Sequence, residues 1–283
     1  LDALAFGASD YVTKPSSHGV NTRDVVGEEL LRKIRGLTQP HGRSHQSSES
    51  TAAAGGARST TIIEVPDGQD LHVSQNEGVG ACAIGVSTGG PNALQALLPK
   101  LPANLGFPVF IVQHMPPLFT KLLADRLCAV SKLPVVEAEH GQEVKNGHIY
   151  LAPGGFHMGV KRLLGRVTIA LNEEEPENSC RPAVDVLFRS VAAVYGHSAL
   201  AAVLTGMGQD GLKGCQRIQQ AGGTIIAQDR EMSDAWGMPA AVIEAGLASS
   251  DASLNEIAEI IARGGLGSHR MRSVEREVRA GSS

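Results

Sequence analysis

The stretch from Ala81 to Gly90 reads Ala-Cys-Ala-Ile-Gly-Val-Ser-Thr-Gly-Gly, and it bears most directly on the fold. Its first six residues are apolar or small with no polar alternation, which is typical of a strand buried on both faces. A helix is predicted directly after the glycines, over 92–100. A buried strand, a tight turn and a helix in succession indicate an α/β fold.

The same alternation of strands and helices continues toward the C-terminus. Further buried strands are predicted over 107–113, 199–205 and 224–228, and further helices over 118–131, 183–195, 212–221, 239–245 and 254–262. Three short strands, over 135–138, 148–152 and 167–171, are predicted to form a short antiparallel excursion. The whole pattern predicts an α/β fold with a doubly wound, mostly parallel sheet and helices on both faces.

Composition divides the 283 residues into four parts. Residues 1–37 have the pattern of the end of a small α/β domain, and 38–79 are rich in Ser, Gly, Ala and His, as in a flexible linker. The alternation of strands and helices occupies 80–263, and 264–283 form a tail that we expect to be disordered. Because the chain begins with Leu1 rather than Met, we expect its N-terminus to be truncated.

Composition also argues against several classes of protein. Aromatic residues make up 4% of the chain and the formal net charge is −4, which disfavours nucleic-acid binding. No apolar run reaches the roughly 18 residues of a membrane span, so we expect no membrane insertion. The four cysteines include no C-x-x-C pair, which disfavours a zinc ribbon. With no signal peptide in view, these features favour a cytoplasmic location.

Three polar residues follow predicted strands directly. Ser87 lies in a G-x-S-x-G turn, His114 follows the strand over 107–113, and Asp210 lies in a Gly-rich loop after the strand over 199–205. The carboxyl ends of parallel strands share one edge of a sheet, so these side chains are able to converge there. A serine, a histidine and a carboxylate together suit nucleophilic catalysis, in which the base activates the serine and the acid orients the base.

Each of these residues also has a structural interpretation. Ser87 suits a Gly-rich turn that caps a helix, His114 suits a packed histidine, and Asp210 suits a helix cap. The glycines around Ser87 further suggest a phosphate-binding loop, although the chain has neither a Walker ending nor a dinucleotide fingerprint there. The chain order Ser–His–Asp differs from the Ser–Asp–His order of α/β-hydrolases, so the G-x-S-x-G match does not indicate that fold.

Five motifs together resemble the chemotaxis protein-glutamate methylesterases, the CheB family. They are the runs over 84–91, 113–115, 181–188, 204–211 and 236–239, and the likeness covers roughly 80–250. Residues 7–15 separately resemble the last strand of a response-regulator receiver, with Lys14 in the place of the lysine that contacts the phosphoryl group. A receiver joined by a linker to the esterase is the arrangement of that family, so 1–37 are interpreted as a receiver remnant.

The resemblance implies a serine hydrolase of two activities. It would hydrolyse glutamate γ-methyl esters on the cytoplasmic helices of methyl-accepting chemoreceptors, with release of methanol, and would deamidate specific receptor glutamines. Ser87 would attack the acyl carbon, His114 would carry the proton, and Asp210 would orient the imidazole. The backbone N–H of Met207 and groups near Thr88 are candidates for the oxyanion site. No metal or cofactor is required by this chemistry.

The resemblance also implies a partner, a histidine kinase that donates a phosphoryl group to the full-length receiver. Two further residues are candidates for the substrate cleft. His157 follows a Gly pair and either lines the cleft or is structural, while Arg181 either binds an acidic part of the substrate or pairs with Asp185. Two other functions stay open, a nucleotide-binding module that uses the loop over 85–90 and a DNA-binding output domain. The acidic net charge opposes the second of these.

Overall fold

The computed structural model describes residues 78–264 continuously, and before them only a few isolated positions, at 12, 27, 30, 31, 33–35 and 38. The predicted receiver remnant, linker and tail therefore lie outside the described residues, apart from a few positions. Lys14 lies outside them as well.

A seven-stranded parallel sheet is the centre of the described chain. Its strands are β1 (Ala81–Val86), β2 (Val109–Gln113), β3 (Val135–Glu137), β4 (Ile149–Leu151), β7 (Ala199–Val203), β8 (Thr224–Gln228) and β9 (Ser250–Ala252). They are arranged in the order β3-β4-β2-β1-β7-β8-β9, and every neighbouring pair is parallel. The predicted doubly wound α/β fold is confirmed.

Six α-helices within residues 78–264 cover the two faces of the sheet. They are α1 (Gly90–Leu97), α2 (Phe119–Val130), α3 (Val184–Tyr195), α4 (Leu212–Gln220), α5 (Met238–Glu244) and α6 (Leu254–Ala262). Helices α1, α2 and α6 contribute to one hydrophobic cluster, and α3, α4 and α5 contribute to the other.

Strand β1 shows why its sequence has no polar alternation. Cys82 and Ile84 belong to the cluster on one face of the sheet, whereas Ala81 and Ala83 belong to the cluster on the other. All four residues are fully buried. Because successive side chains of a strand point to opposite faces, a strand covered by helices on both sides must be apolar throughout.

The antiparallel excursion differs from its prediction. Strands β3 and β4, expected within it, are parallel members of the main sheet, because β4 pairs with both β2 and β3. The antiparallel pair instead consists of β5 (His157–Leu163) and β6 (Arg166–Asn172), and only the second of these was predicted. Leu164 and Gly165 connect them, with φ of 49° and 81°. Positive φ at both central residues is typical of a two-residue hairpin turn.

The chain reverses its direction of travel across the sheet beside β1. From β1 it proceeds to β2 on one side, and after the excursion it returns through α3 to β7 on the other side. Such a reversal opens a crevice at the carboxyl ends of the strands, which is where open α/β sheets bind their ligands.

Candidate active site

Ser87, His114 and Asp210 meet at this crevice. The register pairs Val86 at the end of β1 with Gln113 at the end of β2. Ser87 and His114 are the next residues, so they leave neighbouring strands at the same level. Asp210 arrives in the loop after β7, on the other side of β1. His114 Nε2 lies 2.7 Å from Asp210 Oδ2, which is a hydrogen bond. Three segments that are distant in the sequence thus converge on one edge of the sheet.

Ser87 is held in a tight turn between β1 and α1. Its backbone N–H donates to the carbonyl of Thr205 at 2.9 Å. Gly89 follows with φ of 79°, a left-handed conformation that glycine adopts without steric cost, and the first turn of α1 begins directly after it. A Cβ added to Gly206 would lie 2.9 Å from Ser87 Cβ, so the Gly-rich loop after β7 touches the serine.

The orientation of His114 is set by the partners of its imidazole. Nε2 bonds to Asp210, and the imidazole also has a side-chain hydrogen bond with Cys180. The side chains of His114 and Asp210 are 13% and 3% exposed. Burial lowers the pKa of His114, but the hydrogen bonds and charges of Asp210 and Cys180 outweigh that effect and hold the pKa above its ordinary value.

Asp210 is fixed by a set of hydrogen-bond donors besides the imidazole. Its Oδ2 accepts the Val184 N–H at 2.7 Å. Its Oδ1 accepts the N–H groups of Asp185 (3.0 Å) and Gly211 (2.9 Å) and the Asn178 amide (2.8 Å). Val184 and Asp185 open α3, whose N-terminal end favours negative charge. Burial raises the pKa of Asp210, but these bonds and the His114 contact lower it overall, so the carboxylate stays ionised.

Two backbone N–H groups near Ser87 are candidates for an oxyanion site. The N–H of Ser87 itself is engaged with Thr205. Those of Thr88 and Met207 make no hydrogen bond to a backbone carbonyl among the described residues. Thr88 follows the serine directly and Met207 follows Gly206, so both N–H groups belong to segments that border Ser87.

Comparison with known proteins identifies the family. A family model described as CheB methylesterase matches residues 82–261. The chain belongs to the CheB methylesterase family. A protein-glutamate methylesterase/protein-glutamine glutaminase of Trichodesmium erythraeum is 44% identical over 265 residues, which is 93% of this chain and 72% of that relative. Its counterpart in Archaeoglobus fulgidus is 41% identical over 273 residues, again 93% of this chain and 72% of the relative.

A solved structure extends the likeness to the fold. The crystal structure of the Thermotoga maritima CheB methylesterase catalytic domain aligns with a TM-score of 0.64 and 45% sequence identity. The alignment covers 65% of this chain and 97% of that domain. The family resemblance inferred from the five motifs is therefore confirmed.

His157 of this CheB-family chain has a structural role. It begins β5, its ring is 1% exposed, and both ring nitrogens face the backbone of the loop over 173–183, here called the strap. Nε2 lies 3.1 Å from the carbonyl of Glu175, and Nδ1 accepts the N–H of Ala183 at 3.2 Å. Since the ring is buried and engaged in this way, it supports the strap rather than lining an open cleft.

Arg181 also holds the strap. Its Nη1 donates to the carbonyls of Glu173 (2.8 Å) and Glu174 (2.9 Å), which closes the strap upon itself. The pairing with Asp185 considered from the sequence is not formed, because Asp185 accepts instead from the Gly214 N–H and the Asn178 amide.

The CheB site contains two residues that were not among the predicted site residues, Gln113 and Asn178. Gln113, 2% exposed, donates from Nε2 to the carbonyls of Ser87 (3.0 Å) and His114 (3.1 Å) and so ties the two strand ends together. A polar residue that ends a fully apolar strand was the available signal. Asn178 had no such signal, since its amide reaches Asp210 only through the folded path of the strap.

The turn at Ser87 does not suit a phosphate. Asp234 Oδ2 lies 2.5 Å from the place where a Cβ of Gly89 would stand, which sets a carboxylate beside the first turn of α1. A bound phosphate would face that negative charge. Among the described residues, no group of three or more His, Cys, Asp or Glu side chains is arranged to hold a metal ion. No helix in the described part of the chain has the length and apolarity to cross a membrane.

Proposed function

We propose that this chain is a serine hydrolase that removes methyl groups from γ-methyl-esterified glutamates of chemoreceptors and deamidates particular receptor glutamines, in chemotaxis adaptation. The observation that carries the proposal is the 2.7 Å hydrogen bond between His114 and Asp210 beside Ser87. The matched family and the names of the relatives support the same two activities.

The first half of the reaction forms an acyl-enzyme. Ser87 Oγ attacks the ester carbonyl carbon while His114 Nδ1 takes the hydroxyl proton. Asp210, bonded to Nε2, stabilises the imidazolium. The bond to the methoxy oxygen then breaks, and the proton on Nδ1 passes to that oxygen, so methanol leaves. For a glutamine substrate the leaving group is ammonia.

The second half repeats these steps with water. Nδ1 takes a proton from a water molecule as its oxygen attacks the acyl carbon. The ester bond to Ser87 Oγ breaks, and Oγ recovers the proton from the imidazolium. The products are the glutamate side chain and the free serine. In both halves we assign the stabilisation of the developing oxyanion to the N–H groups of Thr88 and Met207.

Regulation belongs to the same proposal. The likeness of residues 1–37 to the end of a receiver, with Lys14 in the position of the phosphoryl-contacting lysine, supports a response regulator that a histidine kinase phosphorylates when its receiver is whole. Such a phosphorelay and the chemoreceptor helices are cytoplasmic, so we infer that the enzyme acts in the cytoplasm.

The test is methanol release from membranes that carry methylated chemoreceptors. The chain is expected to release methanol, and Ser87→Ala is expected to lower the rate by about a thousandfold or more, because members of a triad act as a unit. Ser249→Ala is the matched control. Its backbone N–H pairs with Ile225 at the start of β8, so it lies at the opposite edge of the sheet and should release methanol at the normal rate.

Two results would contradict the proposal. One is full activity of Ser87→Ala with an unchanged circular dichroism spectrum. The other is the absence of methanol and ammonia release from the unaltered chain together with saturable binding of a nucleotide, which would favour the phosphate-binding interpretation of the loop over 85–90.

A further inference from the structure

The tip of the strap is a tight turn that presents one side chain to the site. The N–H of Cys180 donates to the Glu177 carbonyl at 2.9 Å, and the N–H of Glu177 donates back at 3.2 Å. Between them, Asn178 and Ser179 have φ of 53° and 62°. Two central residues with positive φ define a primed turn, and asparagine is among the residues that tolerate this conformation.

The amide of Asn178 bridges two carboxylates. Nδ2 donates to Asp210 Oδ1 at 2.8 Å and to Asp185 Oδ2 at 2.9 Å. Asp185 is 1% exposed, and its other oxygen accepts the N–H of Gly214 at 2.6 Å. An amide nitrogen carries two N–H donors and a carboxylate only accepts, so one neutral group satisfies both acids and separates their charges.

The strap fixes the position of this amide. Glu177, directly before Asn178, receives two hydrogen bonds from the guanidinium of Arg189 on α3, at 2.7 and 2.6 Å. A bidentate pair of this kind restrains both position and orientation. Together with the contacts of His157, it holds the turn against the N-terminal end of α3, where Asp210 is bound.

We propose that Asn178 is a positioning residue of the active site, which acts through Asp210 by sharing its negative charge and so limits how strongly that carboxylate holds the proton of His114. This role rests on the proposed function in one respect only, the assignment of His114 as the base. Asn178 does not touch that imidazole in the proposed reaction, and its effect reaches the base through the Asp210 carboxylate.

The direction of the effect follows from the charges around the pair. The ionisable groups that interact with Asp210 or Asp185 are His114 just after β2, Glu177 on the strap, Arg189 on α3 and Cys215 on α4. Beyond them, Cys180 interacts with His114, and Lys213 with Glu177. Without the amide, Asp210 loses a donor and faces Asp185 directly. A carboxylate with fewer donors binds the imidazolium more strongly, so the pKa of His114 rises further.

Two substitutions distinguish the effect of the Asn178 amide from the effect of the turn conformation. Asn178→Gly removes the amide and keeps a residue that accepts positive φ. Asn178→Asp keeps the shape but replaces donors with acceptors. Ser179→Gly, in the same turn and with the bridging amide intact, is the matched control. The acid limb of kcat/KM for methanol release should move to higher pH by about one unit in Asn178→Gly and by more in Asn178→Asp.

In the Ser179→Gly control, the acid limb of kcat/KM should lie at the same pH as in the unaltered chain. At a fixed pH on the limb, a shift of one unit appears as a tenfold lower rate, which recovers at high pH. A purely structural role predicts the opposite pattern, a lower rate at every pH with an unmoved limb, and that result would overturn the proposal. A limb that moves equally in Ser179→Gly would also overturn it, because the turn rather than the amide would then be responsible.

Titration of the His114 ring by NMR, assigned with a His114→Gln variant, keeps this test separate from the proposed function. The pKa of His114 should be lowest in the unaltered chain, higher in Asn178→Gly and highest in Asn178→Asp, whether or not receptor esters are hydrolysed. Unchanged titration in both variants would overturn the proposal even in an active enzyme. Absence of methanol release with the expected titration would instead contradict the proposed function alone.

Discussion

The reactivity proposed for this site depends on how His114 divides its two ring nitrogens. Nε2 is committed to Asp210 at 2.7 Å, and Asp210 is itself anchored by the first N–H groups of α3. The imidazole therefore has a defined orientation before any substrate arrives, and Nδ1 is the nitrogen that we propose exchanges protons. Such preorganisation is what allows a weak base to act on a serine hydroxyl.

The pH dependence of activity follows from this contact. Burial lowers the pKa of His114, but Asp210 and Cys180 raise it above the ordinary value of about 6.5, and only the neutral ring accepts a proton. We expect kcat/KM to rise through a limb above pH 6.5 and then to level. Asp210→Asn should move that limb to lower pH and reduce the plateau by about a thousandfold or more.

A pH profile between 5 and 10 checks this expectation, with the exposed Asp251→Asn as the charge-matched control. A limb that stays in place in Asp210→Asn would show that the carboxylate does not set the protonation of the base.

The contact between Gly206 and Ser87 gives a second prediction. A Cβ at position 206 would collide with Met238 Sδ and stand 2.9 Å from Ser87 Cβ, so Gly206→Ala must displace the serine or the loop that carries Met207. We expect at least a tenfold loss of kcat, because a misplacement of about 1 Å costs on the order of a hundredfold.

Gly106→Ala is the control for this substitution, since nothing lies within 4 Å of an added Cβ at that position. Equal methanol release from the two variants would mean that the loop after β7 does not constrain the nucleophile.

At the scale of helices and strands, one helix begins with strained backbone. Leu118, which precedes α2, has φ of 72° and ψ of −39° and is 81% exposed. A bulky residue with this positive φ is an outlier, and a residue held in a sparsely populated backbone region costs on the order of 1–3 kcal/mol. Leu118→Gly should therefore raise the free energy of unfolding by about 1 kcal/mol.

The same substitution one turn later should have the opposite effect. Leu122 lies inside α2 and is 53% exposed, so Leu122→Gly should lower the free energy of unfolding by about 1 kcal/mol. Urea denaturation of both variants checks the pair. Destabilisation of equal size at both positions would show that the backbone of Leu118 is not strained.

The strands that were predicted correctly are those whose own sequence carries a recognisable pattern. Strands β1 and β7 are apolar throughout, and β2 and β8 are apolar apart from their end residues, because they are covered on both faces. This pattern is visible without knowledge of the fold. Strand β5 has no such pattern. Its first four residues are buried against the sheet and its last three, ending at Leu163, are exposed, so neither a continuous nor an alternating pattern results.

The parallel pairing of β3 and β4 likewise depends on tertiary contacts, since three residues are too few to show which neighbour they will join. The same distinction holds at the site. Ser87, His114 and Asp210 each follow a predictable strand, whereas the roles of Gln113 and Asn178 arise from contacts across 26 and 32 positions of the sequence.

At the scale of the whole molecule, the two hydrophobic clusters explain where the site is. Helices cover both faces of the sheet, so the carboxyl edge at the reversal beside β1 is where strand ends and loops of different segments can gather polar groups. The strap between β6 and α3 closes this edge from the side of Asp210. The thiol of Cys180, which interacts with His114, is a second candidate for the nucleophile beside Ser87.

The most direct test of the central claim is therefore to find which residue is acylated. A fluorophosphonate reacts with a serine activated by a neighbouring base, and mass spectrometry of peptides locates the adduct. We expect one adduct per chain, on Ser87, kept in Cys180→Ala and lost in Ser87→Ala. An adduct on Cys180, or no adduct in a sample that releases methanol, would contradict the account.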